Sequence, residues 1–303
     1  MKKSVSLLPA MALSVAFLAA CSDDSSSGNN PAASNPGISS DSTNPQQTSS
    51  DANQITSSDG TLIASSSSED VFQPIDPAAI TLDEDGFADI KDVYRSLQAN
   101  EKAVFVIRHA ERDMFVTRQG DLSEDGEIQA LDVGKKLVGP DEFTYSHTDY
   151  VRTYKTCLGI ATGRGQATFP NDTNDIYTEG WYVSNDSLFD EYSKKPSDTH
   201  TVTSSWAYNG EFADAFFDYT AKNEEMTNML VGDYATASRV RVVCSHDNFV
   251  VPLTVYLTNK TVNLRVFENN KKWLNFLAGA AIITNDAGAR RTYAVKGLES
   301  GVQ

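Results

Sequence analysis

Five consecutive apolar residues, Ala103-Val104-Phe105-Val106-Ile107, run without alternation straight into Arg108 and His109. A run this short, rich in β-branched and aromatic side chains, predicts a strand buried on both faces, of the kind that lies in parallel sheets beneath helices. A second strand, through Val240, Val242, Val243 and Cys244, ends in the same way on Ser245-His246-Asp247. In open α/β sheets ligands bind beyond the carboxyl ends of the strands, which is where both histidines fall.

Around these strands the apolar period becomes helical. Phe87, Ile90, Val93, Tyr94 and Leu97 predict a short amphipathic helix before the first strand. In "LSEDGEIQALDVGKKLVGP", Ser123 can cap a helix with Glu124 and Asp125 in its first turn and Lys135 and Lys136 in its last, before Gly139-Pro140. "EFTYSHTD" predicts a strand, and "YVRTYKTCLGIATG" a helix with Cys157, Ile160 and Ala161 inward and Arg152 near its start. Residues 170–205 are loop-rich, acidic and aromatic, with Trp181, Tyr182 and Tyr192, and read as an insertion over the sheet. Phe212, Phe216, Tyr219, Met226, Met229 and Leu230 predict a long helix or helix pair. "AAIIT" and "RRTYAV" flank Asn285-Asp286-Ala287-Gly288, a turn composition that predicts an antiparallel hairpin at the sheet's edge. The fold class expected is α/β, a three-layer sandwich around a mostly parallel sheet, carried by residues 71–303.

The first seventy residues are of another kind. Lys2 and Lys3 precede an apolar region broken by Pro9 that ends in small residues, so residues 1–20 read as a secretory signal rather than a membrane span. "LAAC", Leu18 to Cys21, resembles the lipobox of bacterial lipoproteins, which implies lipidation at Cys21 and an anchored protein in the cell envelope, outside the cytoplasm. Residues 21–70 are Ser, Asn and Asp with few large apolar side chains, a composition that cannot offset ordering entropy and predicts a disordered tether. The formal charge of −16 argues against nucleic acid as a partner. With Cys21 assigned to lipid, two cysteines remain. Cys157 and Cys244 could pair in an oxidising envelope, but both stand in apolar settings, and two buried free thiols is the favoured reading.

Four segments, in order, resemble the histidine phosphatase superfamily, which includes phosphoglycerate mutases and histidine acid phosphatases. "RHAER" is similar to its arginine-histidine signature, although Ala110 stands where the family has glycine and Met114 where the acid-phosphatase branch has proline. "LSEDGEIQALDVGKKL" resembles its first conserved helix, "TDYVRTYKTC" the segment with a further phosphate-binding arginine, and "VVCSHDNFV" the second histidine motif. The resemblance implies that His109 is the nucleophile, that His246 supports the transition state, and that Arg108, Arg152 and Arg112 bind phosphate. Asp247 is the first candidate for proton donor, with Glu179 and Glu191 as alternatives.

The chemistry fits the residue types. Guanidinium forks bind phosphoryl oxygens bidentately and stay charged. A neutral imidazole can attack phosphorus and carry it covalently, a second can donate to the equatorial oxygens, and a carboxylic acid can protonate the leaving alkoxide. The scheme needs no cofactor and no metal, and the run His109-Glu111-Asp113 is too sparse to read as a metal site. His147 and His200 match no motif and read as ordinary loop or strand residues. The expected activity is hydrolysis of a small-molecule phosphomonoester. The alternatives are a phosphoryl transferase of the mutase type and a non-catalytic module that binds phosphate or anionic glycans.

If Cys21 carries the anchor, Cys21→Ser should move the protein from the membrane fraction to the soluble fraction on cell fractionation. Continued membrane association of that variant would remove the lipoprotein reading.

Overall fold

The computed structural model describes residues 72–232 and 238–303. The expected signal peptide, the lipidation site Cys21 and the tether 21–70 lie outside the described residues. Seven strands form one sheet in the order β1-β7-β6-β2-β5-β3-β4. They are β1 (Phe87–Asp89), β2 (Glu101–Arg108), β3 (Phe143–His147), β4 (Asn171–Thr173), β5 (Val240–Ser245), β6 (Ala278–Asn285) and β7 (Arg290–Lys296). β2, β5, β3 and β4 run parallel, β6 is antiparallel to both β2 and β7, and β1 is parallel to β7. The sheet is therefore mixed α/β and mostly parallel, as expected.

β2 splits its side chains between two cores. Val104 and Val106 face one cluster, with Phe249 and Val250 of α7 (Asp247–Leu257), Trp206 of α5 (Thr199–Asn209) and Met226 of α6 (Tyr219–Gly232). Ala103, Phe105 and Ile107 face the other, with Ala130 of α2 (Glu124–Lys136) and Ile160 of α3 (Val151–Gly163). Both faces of the strand are apolar because both are covered, which is why its sequence does not alternate.

Ser123 caps α2 by accepting a hydrogen bond from the Gly126 amide at 3.0 Å, and α3 begins one residue before Arg152. α2 and α3 pack closely enough that a Cβ on Gly134 would stand 2.3 Å from the Ile160 carbonyl oxygen.

Several expectations are corrected. The periodic segment from Phe87 divides: Phe87 lies in β1, and only Ile90–Arg95 forms α1, because Asp89 accepts from the Lys91 amide and starts the helix there. Phe212 and Phe216 are not helical but flank a 3-10 turn (Ala213–Ala215), and their spacing reflects packing into the aromatic core, with Phe216 stacked on Trp206 at 4.2 Å. Residues 170–205 are less irregular than expected: they contain β4, a 3-10 turn (Glu179–Trp181), α4 (Asp186–Tyr192) and the start of α5. The β6–β7 hairpin forms, but it is not at the edge, since β1 covers β7 and β6 pairs with β2.

The cysteines are also corrected. Cys157 and Cys244 form a disulfide, with Cα atoms 6.1 Å apart. Alternation along β5 turns Cys244 towards the α3 side of the sheet, where the buried stripe of α3 places Cys157, and this separation is within bonding range. An apolar setting suits a thiol and a disulfide alike, so composition does not separate them.

Closing a loop across 87 residues should contribute about 2–4 kcal/mol. Unfolded without reductant, Cys157 and Cys244 should resist alkylation, and reduction should lower the urea midpoint accordingly. Full alkylation of both under those conditions would return them to free thiols.

Candidate active site

β2 and β5 pair in parallel with Arg108 opposite Ser245, so both chains leave the sheet side by side. The His109 amide continues the ladder by donating to the Ser245 carbonyl at 2.9 Å, and the imidazole rings of His109 and His246 come to 5.5 Å between centroids. Next to His109, the Ala110 amide donates to Thr156 Oγ1 of α3 at 2.9 Å, which ties the turn after β2 to the helix carrying Arg152. Ala110 is fully buried, so its methyl group is accommodated where the motif has glycine.

A cavity of about 370 Å³ opens here, lined by residues that include Arg108, His109, Arg112, Arg152, His246 and Asp247. Every residue expected in the primary constellation is therefore brought together. Of the alternative proton donors, Glu179 lines the cavity from its 3-10 turn, whereas Glu191 lies exposed on α4 and is not part of the lining. His147 is apart from the site, bonded to the Thr148 carbonyl and to Asn171 Oδ1 at 2.7 and 3.1 Å.

A hydrogen bond fixes which nitrogen of His109 bears the proton. His109 Nδ1 lies 2.7 Å from the Ala110 carbonyl oxygen, which can only accept, so Nδ1 holds the proton. Nε2 then presents its lone pair and accepts from Arg152 Nε at 3.2 Å. On His246, Nδ1 faces Arg152 Nη2 at 3.4 Å and Nε2 lies 3.0 Å from Thr148 Oγ1. Arg152 also donates through Nη1 to the Thr117 carbonyl and lies over the Tyr150 ring, which in turn meets His246 edge-on.

Burial, then the charge of Arg108, holds His109 well below the ordinary imidazole range. Burial, then Arg152, lowers His246 to about 3. Both shifts favour the neutral ring.

Arg108 is 6% exposed. It donates to the Leu274 carbonyl, pairs with Asp247 Oδ2 at 3.1 Å and lies over Phe276. Its Nε, fully buried, has no partner among the described residues. Arg112, half-buried, donates to the Asp113 carbonyl and adds its charge to those of Arg108 and Arg152. Three guanidinium groups on one cavity repel one another unless an anion sits among them.

Asp247 is in the cavity. Although burial opposes ionisation, Arg108, His200 and Trp273 together hold its carboxyl well below the usual carboxylate range. His200, Tyr150 and Trp273 are the residues that the sequence did not single out for the site. His200 lines the cavity 3.6 Å from Asp247, and Trp273 donates to the same carboxylate oxygen at 3.1 Å. Nothing near them in sequence marks them, because their contacts depend on α5 and the 270s segment packing against α7. Among the described residues no three His, Cys, Asp or Glu side chains come together to hold a metal ion.

No family model and no curated protein matches this chain in sequence. Among solved structures it is similar to a phosphoglycerate mutase from Bacillus anthracis str. Sterne, at 14% identity over 65% of this chain and 93% of that one, with a TM-score of 0.44. It is also similar to a mycobacterial glucosyl-3-phosphoglycerate phosphatase, at 15% identity over 65% and 99%, TM-score 0.41. A phosphoserine phosphatase from Entamoeba histolytica gives 17% identity over 63% and 94%, TM-score 0.40. Likeness this remote carries no argument about activity, which must come from the side chains.

The neutral histidines have a consequence for stability. In the unfolded chain an imidazole takes up its proton near pH 6.5. Between there and about pH 3 the unfolded state binds a proton that folded His246 does not, so stability rises with pH across that window and falls on acidification. For His246 the cost should reach on the order of 3 kcal/mol at pH 4.5. His246→Gln should remove about that much of the stability lost between pH 7 and pH 4.5 in urea unfolding. An unchanged loss would show that His246 is protonated in the native state.

Proposed function

We propose that this protein hydrolyses phosphomonoesters through a phosphohistidine intermediate on His109. The observation that carries the reading is the hydrogen bond from His109 Nδ1 to the Ala110 carbonyl, which leaves a neutral Nε2 lone pair facing a cavity lined by three arginines. A phosphoryl dianion seated among Arg108, Arg112 and Arg152 neutralises their mutual repulsion. Arg152, which bridges both imidazoles, would turn its donors to phosphoryl oxygens and free Nε2 to attack.

His246, on the opposite side of Arg152 and held through Thr148 and Thr153, borders the equatorial oxygens. Attack forms the bond from Nε2 to phosphorus and breaks the ester bond; water then releases phosphate and restores the imidazole. The histidine phosphatase motifs in the sequence support the same assignment. We also place the enzyme outside the cytoplasm, anchored through Cys21, a reading supported by the resemblance of "LAAC" to a lipobox.

Turnover of labelled substrate, quenched rapidly into base, should trap label on the peptide containing His109, stable in alkali and lost in acid. His109→Ala should abolish the label and lower the rate at least about a hundredfold. Label on a serine, or near-normal activity in His109→Ala, would overturn the mechanism. Phosphate binding without turnover of any phosphoester would leave a binding module instead.

A further inference from the structure

The loop that joins β2 to α2 carries Met114, Phe115 and Val116 at 85%, 61% and 65% exposure, the three most exposed large apolar side chains among the described residues. A single exposed apolar residue is ordinary, but a contiguous set marks a binding surface. We infer that this apolar rim holds the alcohol part of the substrate, which is a phosphomonoester of an apolar alcohol several carbons long. This rests on the phosphohistidine reading above and names the substrate class of that site.

The loop is fastened in place. Arg112 and Leu122 form a bridge at its base, and the Asp113 amide donates to the Asp121 carbonyl at 3.0 Å. The Asp113 carboxylate accepts from the amides of Phe115 at 2.8 Å and Asp121 at 3.3 Å, and the Gly120 amide donates to the Thr117 carbonyl at 3.0 Å. Gly120 is buried, and a Cβ there would stand 2.1 Å from the Phe115 carbonyl oxygen, so the two arms of the loop touch. The Thr117 carbonyl also accepts from Arg152 Nη1 at 2.9 Å, and the Arg118 carbonyl from the Val151 amide at 3.0 Å. The backbone is thus tied to Arg152 and to the start of α3, while three apolar side chains on it meet water. That arrangement is unfavourable until an apolar group covers them.

Continuity with the cavity identifies what covers them. Val116 lines the cavity that holds His109 and Arg112, and Tyr150, the residue before α3, lines it as well. Apolar surface therefore begins beside the arginines and continues along the loop through Phe115 to Met114. A carbon chain attached to a phosphoryl group seated among the arginines meets Val116 first. Residues 113–117 contain no Lys or Arg, and Arg118 beside them is paired with Asp149, so an anionic bilayer surface finds no free positive charge on the loop.

Ethyl phosphate and hexyl phosphate read the rim directly, because their alcohols leave equally poorly and differ only in chain length. The full-length protein carrying Cys21→Ser is used, so that no acyl chain competes for the loop. A methylene covered on one side is worth about twofold in binding, and kcat/KM should therefore be about tenfold or more higher for hexyl phosphate, mainly through KM. Phe115→Ser combined with Val116→Ser should bring the two esters to within about twofold of each other, with the loss on hexyl phosphate in KM rather than kcat. Both side chains are exposed, so an unaltered urea midpoint should accompany the change. Equal kcat/KM for the two esters, or a preference that survives the double substitution, would overturn the inference and leave the phosphohistidine reading in place. So would binding to phosphatidylcholine vesicles, or a dimer in sedimentation, that the double substitution abolishes while the preference for hexyl phosphate stays. If neither ester turns over and no label forms on His109, the phosphohistidine reading fails, and the Kd values of the two esters decide the rim: a tenfold preference for hexyl phosphate retains it, and equal values overturn it.

Discussion

The site depends on the register of two parallel strands. Arg108 stands opposite Ser245, and the His109 amide donates to the Ser245 carbonyl, so two histidines from distant parts of the chain leave the sheet as neighbours. That register is held by packing on both faces: Val104, Val106 and Val243 belong to one core, and Phe105, Ile107, Val242 and Cys244 to the other. A slip of one residue would turn each of these side chains to the opposite face and separate the histidines by a residue. The disulfide from Cys244 to Cys157 then joins the strand leading to His246 with the helix that carries Arg152.

On this frame the protein keeps buried positive charge in a chain of net charge −16. Burying guanidinium groups is costly unless each finds an opposite charge or enough acceptors. Arg108 and Arg152 reach carbonyl oxygens, aromatic faces, one carboxylate and the imidazole lone pairs, yet a buried Arg108 nitrogen is still unpaired. The arrangement leaves the cavity with an excess of positive charge. Burial first, and that positive charge second, lower the pKa values of His109 and His246.

Asp247 shows how much a residue's surroundings bear on its chemistry. Beside a histidine in a recognisable motif it reads as a proton donor. Arg108 and Trp273, both far away in the chain, meet its carboxyl and oppose the effect of burial on its ionisation.

The sequence by itself determined what depends on local pattern. The unalternating runs marked strands covered on both faces, Ser123 marked the start of α2, and the turn composition at Asn285 to Gly288 marked the hairpin. The ordered motifs, through their resemblance to the histidine phosphatase pattern, pointed to Arg108, His109, Arg152 and His246, which the structure brings to one cavity. Tertiary structure alone decided the rest. Whether Cys157 meets Cys244, whether the hairpin lies inside the sheet, whether Glu179 or Glu191 reaches the cavity, and whether Asp247 bears a proton all depend on partners far away in the chain. His200 is the clearest case. Its surroundings in sequence are those of any helix start, and its position beside Asp247 exists only because α5 packs against α7, an apolar contact that leaves no mark in the local sequence around His200.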